Sequence, residues 1–171
     1  EIAAFGVRVK GYASNAANYD ETHAVVAEIM KDFGRIDILV NNAVDRSNLT
    51  PLSSATREKL QYAMNSNING PIMLCQEVLN YMIPGGGGSI INISSMRGLD
   101  CPHFPFYPEA MGDQPVNYTT EKWAMVGLTK YMAGRYGKDG IRVNCIAPGG
   151  YNSDNSAEKA VGFWKTYVDN C

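Results

Sequence analysis

Ile36-Asp37-Ile38-Leu39-Val40-Asn41-Asn42-Ala43 is the stretch on which the fold turns. Its apolar centre is too short for a helix and lacks the polar alternation of a strand with one wet face. It is the kind of run found in a parallel sheet. Working outward from it, residues 20–33 place Val25, Val26, Ile29, Met30 and Phe33 on one helical face, opening at Asp20 or Glu21-Thr22 and closing at Gly34. Upstream, residues 7–13 alternate apolar and polar side chains and predict a strand, preceded by the tail of a helix ending at Gly6. Downstream, a helix is expected from Thr56 to Met82 with a candidate break near 65–70. The glycines at 85–88 form a turn, and residues 89–95 form the next strand. An irregular segment over 96–116 carries Pro102, Pro105, Pro108 and Pro115. A helix from Asn117 to Tyr136, a strand over 141–147 and a last helix over 152–170 complete the chain. Strands alternating with long helices predict βαβ units, hence one α/β domain over 1–171 with a parallel sheet covered on both faces.

The 171 residues are 45% hydrophobic and 19% charged, with net charge −2. No run approaches the about 18 apolar residues of a membrane span, and no signal peptide is visible. Lys and Arg are scattered, which argues against a nucleic-acid surface. Cys75, Cys101, Cys145 and Cys171 are widely spaced, as in reduced intracellular proteins rather than disulfide frameworks or metal sites. A cytoplasmic protein is expected, with no metal, no membrane partner and no nucleic-acid partner.

Ligands of open α/β sheets bind beyond the carboxyl ends of the strands. Asn41-Asn42-Ala43, Ser94-Ser95 and Pro148-Gly149 follow three predicted strands, and Tyr118-Thr119-Thr120-Glu121-Lys122 opens the helix before the last. On that helix Tyr118 and Lys122 stand one turn apart on one face. A nearby ammonium favours the phenolate, an arrangement suited to moving a proton to or from an alcohol.

These residues carry a resemblance. Asp37-Ile38-Leu39-Val40-Asn41-Asn42-Ala43, Asn67-Ile68-Asn69-Gly70 and Gly88-Ser89-Ile90-Ile91-Asn92-Ile93-Ser94-Ser95 come first. Tyr118-x-x-x-Lys122 and Arg142-Val143-Asn144-Cys145-Ile146-Ala147-Pro148-Gly149 follow. In this order they resemble the classical short-chain dehydrogenase/reductase family. The resemblance implies a Rossmann-like, doubly wound, three-layer αβα sheet that lacks its first strands and its last. It implies hydride transfer between NAD or NADP and a secondary alcohol or ketone. The implied catalytic residues are Asn67, Ser95, Tyr118 and Lys122: Tyr118 as acid/base, Ser95 bonding the substrate oxygen, Lys122 assisting Tyr118 and binding ribose, Asn67 holding a relay water. The implied cofactor contacts are Asn15, Asn41, Ala43, Tyr118, Lys122, Pro148, Gly149 and Ser153. In this family the helices corresponding to Thr56 to Met82 and Asn117 to Tyr136 commonly pair, so a homodimer or homotetramer is expected.

Several departures matter. The glycine-rich dinucleotide fingerprint and the residue choosing NAD or NADP are absent; Gly85-Gly86-Gly87-Gly88 precedes a strand, whereas a phosphate cradle follows one. The chain is therefore expected to be a fragment, or to have a partner chain filling the gap. A non-catalytic relative that self-associates without cofactor is the alternative. Val44 stands in place of a usual glycine, and Asn15-Ala16 in place of a usual Asp-Val. Ser95 and Tyr118 are 23 positions apart, wider than the family's habit, and the extra residues, including Cys101, His103, Phe104 and Tyr107, are expected to shape the substrate pocket. The insertion is similar to a bacterial branch linked with surface-sugar biosynthesis, which points to a sugar or polyol.

Overall fold

Three short β-rich runs pair in parallel, in the order β1 (Ile38–Asn41), β2 (Gly88–Ile93) and β3 (Ile141–Ile146). Register sets Leu39 beside Ile90 and Ile90 beside Val143, so these three point to one face. The computed structural model describes residues 2–107, 109, 112–150, 164, 166 and 169. Against that face pack α1 (Tyr19–Phe33), α3 (Gly70–Met82) and α4 (Val116–Tyr136), and the shared core is Val26, Cys75, Val78, Leu79, Met82, Ile90, Met132, Ile141 and Val143. Each such fully buried aliphatic side chain contributes about 1.5–3 kcal/mol. The reverse face carries Ile38, Val40 and Ile146, all about half exposed or more.

Local caps set several helix ends, and α1 opens at Tyr19, one residue ahead of the expected Asp20. Asn18 caps α1, its side chain accepting from the Asp20 and Glu21 amides, and Gly34 closes it at φ 78°, a conformation that favours glycine. Thr56 caps α2 (Arg57–Met64) through the Lys59 amide. The turn before β2 holds Gly87 at φ 116° against the Gly140 carbonyl, where a Cβ would collide.

Two expectations are revised. Residues 7–13 form no strand: alternation alone does not make one, and among the described residues no neighbour offers the backbone groups a ladder requires. The segment instead lies along α1, with Lys10 bonding Glu28 and Asp32. The candidate break at 65–70 is a π-helical turn, Asn65–Asn69, that joins α2 to α3 without ending the rod. The last predicted helix lies almost wholly outside the described residues.

Candidate active site

The site gathers at the carboxyl ends of β1–β3, and local chemistry explains how. After β2, Ser94 donates from Oγ to the Lys122 carbonyl at 2.7 Å, tying the strand end to α4. Gly98 sits so close to this junction that a Cβ would collide with Ser94 Oγ and the Lys122 carbonyl. The Met96 amide donates to the Pro148 carbonyl at 2.9 Å, which brings the loops after β2 and β3 together. Ser95, Tyr118, Gly149 and Gly150 consequently line one open cavity of about 480 Å³, with Arg46 and Arg97 in the same wall. The insertion contributes Pro102, Tyr107 and Asp113 to it, as its position in the sequence suggests.

Lys122 is only 7% exposed. Its Nζ donates to the Ile93 carbonyl at 3.0 Å and lies 5.6 Å from the centre of the Tyr118 ring. Burial pushes its pKa down, and the adjacent Glu121 pushes back. Behind it a cavity of about 10 Å³, at the lower limit of the space that holds one water, is lined by Ala43, Val44, Asn67, Glu121 and Lys122.

The π-turn explains Asn67. An extra residue in the turn re-aims the side chain inward, where its Nδ2 donates to the Asp45 carbonyl and to Glu121 Oε2. Its Oδ1 accepts from the Asp45 amide at 2.8 Å. The side chain is thus fully engaged in holding the loop after β1 against α4. Asn41 is likewise engaged: its Nδ2 donates to Asn92 Oδ1 at 2.8 Å, and Asn92 passes the chain on to Thr129. Asn15 stands in the exposed turn before α1, where its Oδ1 accepts from the Ala17 amide. Ala43 lies exposed just beyond β1, while Ser153 falls outside the described residues.

Glu121 was not singled out by sequence pattern. It is 1% exposed and accepts from Asn67 Nδ2 at 2.9 Å and Asn117 Nδ2 at 3.1 Å. Asn117 also accepts from the Thr50 amide. One carboxyl therefore joins the π-turn, the loop after β1 and α4. The available signal was its place inside the Tyr118–Lys122 turn, on the turn's buried side.

The profile of the short chain dehydrogenase family matches residues 1–161. The chain is 33% identical over 150 residues to 3beta-hydroxysteroid dehydrogenase 2 of Eggerthella lenta, covering 87% of this chain and 54% of that protein. It is 32% identical over 139 residues to D-threitol dehydrogenase of Mycolicibacterium smegmatis, covering 81% of this chain and 49% of that protein. Among solved structures, NAD+-bound xylitol dehydrogenase superposes with a TM-score of 0.77 at 27% identity, over 88% of this chain and 55% of that one. A gluconate 5-dehydrogenase from Burkholderia cenocepacia, in complex with NADP and tartrate, gives 0.77 at 27% identity, over 92% and 57%. This chain belongs to the short-chain dehydrogenase family, with its Rossmann-type parallel α/β fold. It spans about half the length of the curated relatives it matches.

Proposed function

We propose that this chain carries the proton-transfer half of an NAD- or NADP-dependent oxidoreductase acting on a secondary alcohol or ketone, of sugar or polyol type. The single observation behind this reading is that Ser95 and Tyr118 share one cavity while the buried Lys122 ammonium stands behind the Tyr118 ring. Named relatives that act on threitol and xylitol support the polyol class. The chain's own groups also fit the nicotinamide side of a dinucleotide. Lys122 uses one of its three N–H groups on Ile93, leaving two for ribose hydroxyls, and Tyr118 is next to it. Asn15, Asn41, Ala43, Pro148, Gly149 and Ser153 complete the proposed cofactor contacts. The nicotinamide, when bound, gives or takes the hydride.

In reduction the Tyr118 hydroxyl gives its proton to the substrate oxygen, and in oxidation it takes that proton back. Ser95 Oγ donates a hydrogen bond to the same oxygen, stabilising the charge that develops there. The Lys122 ammonium stabilises the tyrosinate, and Asn67 keeps the one-water cavity open behind it. Tyr118→Phe in the protein that supplies turnover is expected to lower kcat by about 10²–10⁴-fold with the melting temperature unchanged. Survival of turnover would overturn the assignment.

A second reading concerns association. Between α3 and α4 runs an apolar groove of about 360 Å³ lined by Ile72, Leu79, Ile83, Leu128 and Tyr131, with Tyr131 68% exposed. It lies on the helices expected to pair, and it supports a homodimer or homotetramer. Sedimentation of Tyr131→Asp tests this: a shift to a slower species is expected, and an unchanged profile would remove the groove from the interface. The free thiols of Cys75, Cys101 and Cys145 support a cytoplasmic location.

A further inference from the structure

Two arginines stand in the wall of the Ser95–Tyr118 cavity, and proton transfer at an alcohol uses neither of them. Arg97 stands two residues after Ser95, and its backbone amide donates to Ser95 Oγ at 3.2 Å. Its guanidinium is held from two sides: Nη1 donates to the Cys101 carbonyl at 3.2 Å, and the group lies 5.2 Å from the centre of the Tyr107 ring. One of its five N–H donors is thereby used, and the fork is fixed in place before any ligand arrives. Arg46, from the loop after β1, lines the same cavity and is exposed. Among the described residues neither arginine has a carboxylate within salt-bridge distance; the acid nearest in the lining, Asp113, has Oδ1 turned to the Gln114 amide. Arg46 is also near enough to the buried Lys122 behind Tyr118 to disfavour its charge. With two arginines against one aspartate, the lining carries an excess of positive charge, which concentrates anionic ligands.

We infer that this cavity takes substrates bearing an anionic oxygen group, a carboxylate or a phosphate, held by Arg97 and Arg46 while the reacting oxygen lies at Ser95 and Tyr118. The inference rests on the oxidoreductase reading for the word substrate, but anion binding is measurable without turnover. Guanidinium forks recognise carboxylate and phosphate by paired N–H···O bonds, which a neutral polyol does not replace.

Isothermal titration calorimetry with glycerol 3-phosphate, glycerate and glycerol tests it. Saturable heat is expected with at least one anion and none with glycerol, and comparison of the two anions tells phosphate from carboxylate. Arg97→Leu is expected to weaken anion binding by about tenfold or more, the usual effect of losing a charged hydrogen bond, and Arg97→Lys by less. Arg46→Ala, at an exposed position that tolerates truncation, gives the same direction if Arg97→Leu does not fold. Absence of saturable heat with either anion overturns the inference. So does anion binding that stays at the wild-type level in both Arg46→Ala and Arg97→Leu. Tyr118→Phe separates the two readings: anion binding that persists while turnover is lost supports both, and turnover that persists sinks the Tyr118 proton-transfer assignment alone.

Discussion

Glu77 and Glu121 are almost equally shielded from solvent, at 3% and 1% exposure, yet Glu121 is the more deeply enclosed and the structure treats them in opposite ways. Glu77 lies in the α1–α3 seam, where it accepts from the Tyr19 hydroxyl at 2.7 Å and pairs with His23 Nδ1 at 2.9 Å. The tyrosine hydrogen bond, with help from His23, holds its carboxyl below the ordinary glutamate range despite burial. Glu121 lies in the seam beside Lys122. There burial dominates and pushes its pKa up, against the amides of Asn67 and Asn117 and the neighbouring ammonium. The first seam is peripheral, and its partners, Tyr19 and His23, are themselves largely exposed. The second is closed, and its partners are locked by further bonds to backbone. Low exposure of a carboxyl thus means different things according to how deeply protein encloses it and how freely its partners reach water.

The sharpest way to break this contrast is Glu121→Leu. It strands two buried amide donors, for an expected loss of about 2–5 kcal/mol in urea denaturation. If the loss stayed under that of Glu77→Leu, the closed-seam description would be wrong. Gly98→Ala attacks the same seam from the backbone side, forcing Ser94 and Lys122 apart, with an expected cost of about 1–3 kcal/mol. Glu77→Leu should cost only about 1 kcal/mol, because Tyr19 and His23 turn to solvent.

The smallest effects are in pH dependence. Glu77 has a lowered folded pKa, so its contribution is present above the unfolded glutamate value and is lost as pH falls through the folded one. Glu121 has a raised folded pKa, so its contribution is full below the unfolded value and is lost as pH rises through the folded one. Stability measured from about pH 3 to 8 should therefore lose part of its acid-side slope in Glu77→Gln and part of its neutral-side decline in Glu121→Gln. Identical changes in both variants would refute the opposition.

Much of this was legible from pattern. The α1 boundary at Gly34 and the helical register of Tyr118 and Lys122 follow from spacing and from a glycine that tolerates positive φ. The strand at Ile38–Asn41 follows from an apolar run too short to be a helix. Residues 7–13 misled because alternation reports what a strand needs from its side chains and nothing about a neighbour for its amides. Asn67 was placed at a candidate break, but its engagement with Asp45 and Glu121 depends on a π-turn, which costs one residue of register and leaves no distinctive composition. Glu121 gives little signal in the sequence because a glutamate in a helix is by habit solvated.

Short-range chemistry thus settled the long helices, the three paired strands, the end of α1 at Gly34, and that Tyr118 and Lys122 share a face. Those outcomes depend on a few neighbouring residues and on steric limits that every chain obeys. Packing between segments distant in sequence decided the rest. It set which sheet face the helices cover, buried Glu121 and Lys122 side by side, bonded Asn41 to Asn92 and Asn67 to Asp45 and Glu121, and brought Arg46 and Arg97 to the wall of the Tyr118 cavity. Burial and partnership are properties of the whole fold, since the desolvation that shifts a charge is caused by residues the local sequence never mentions.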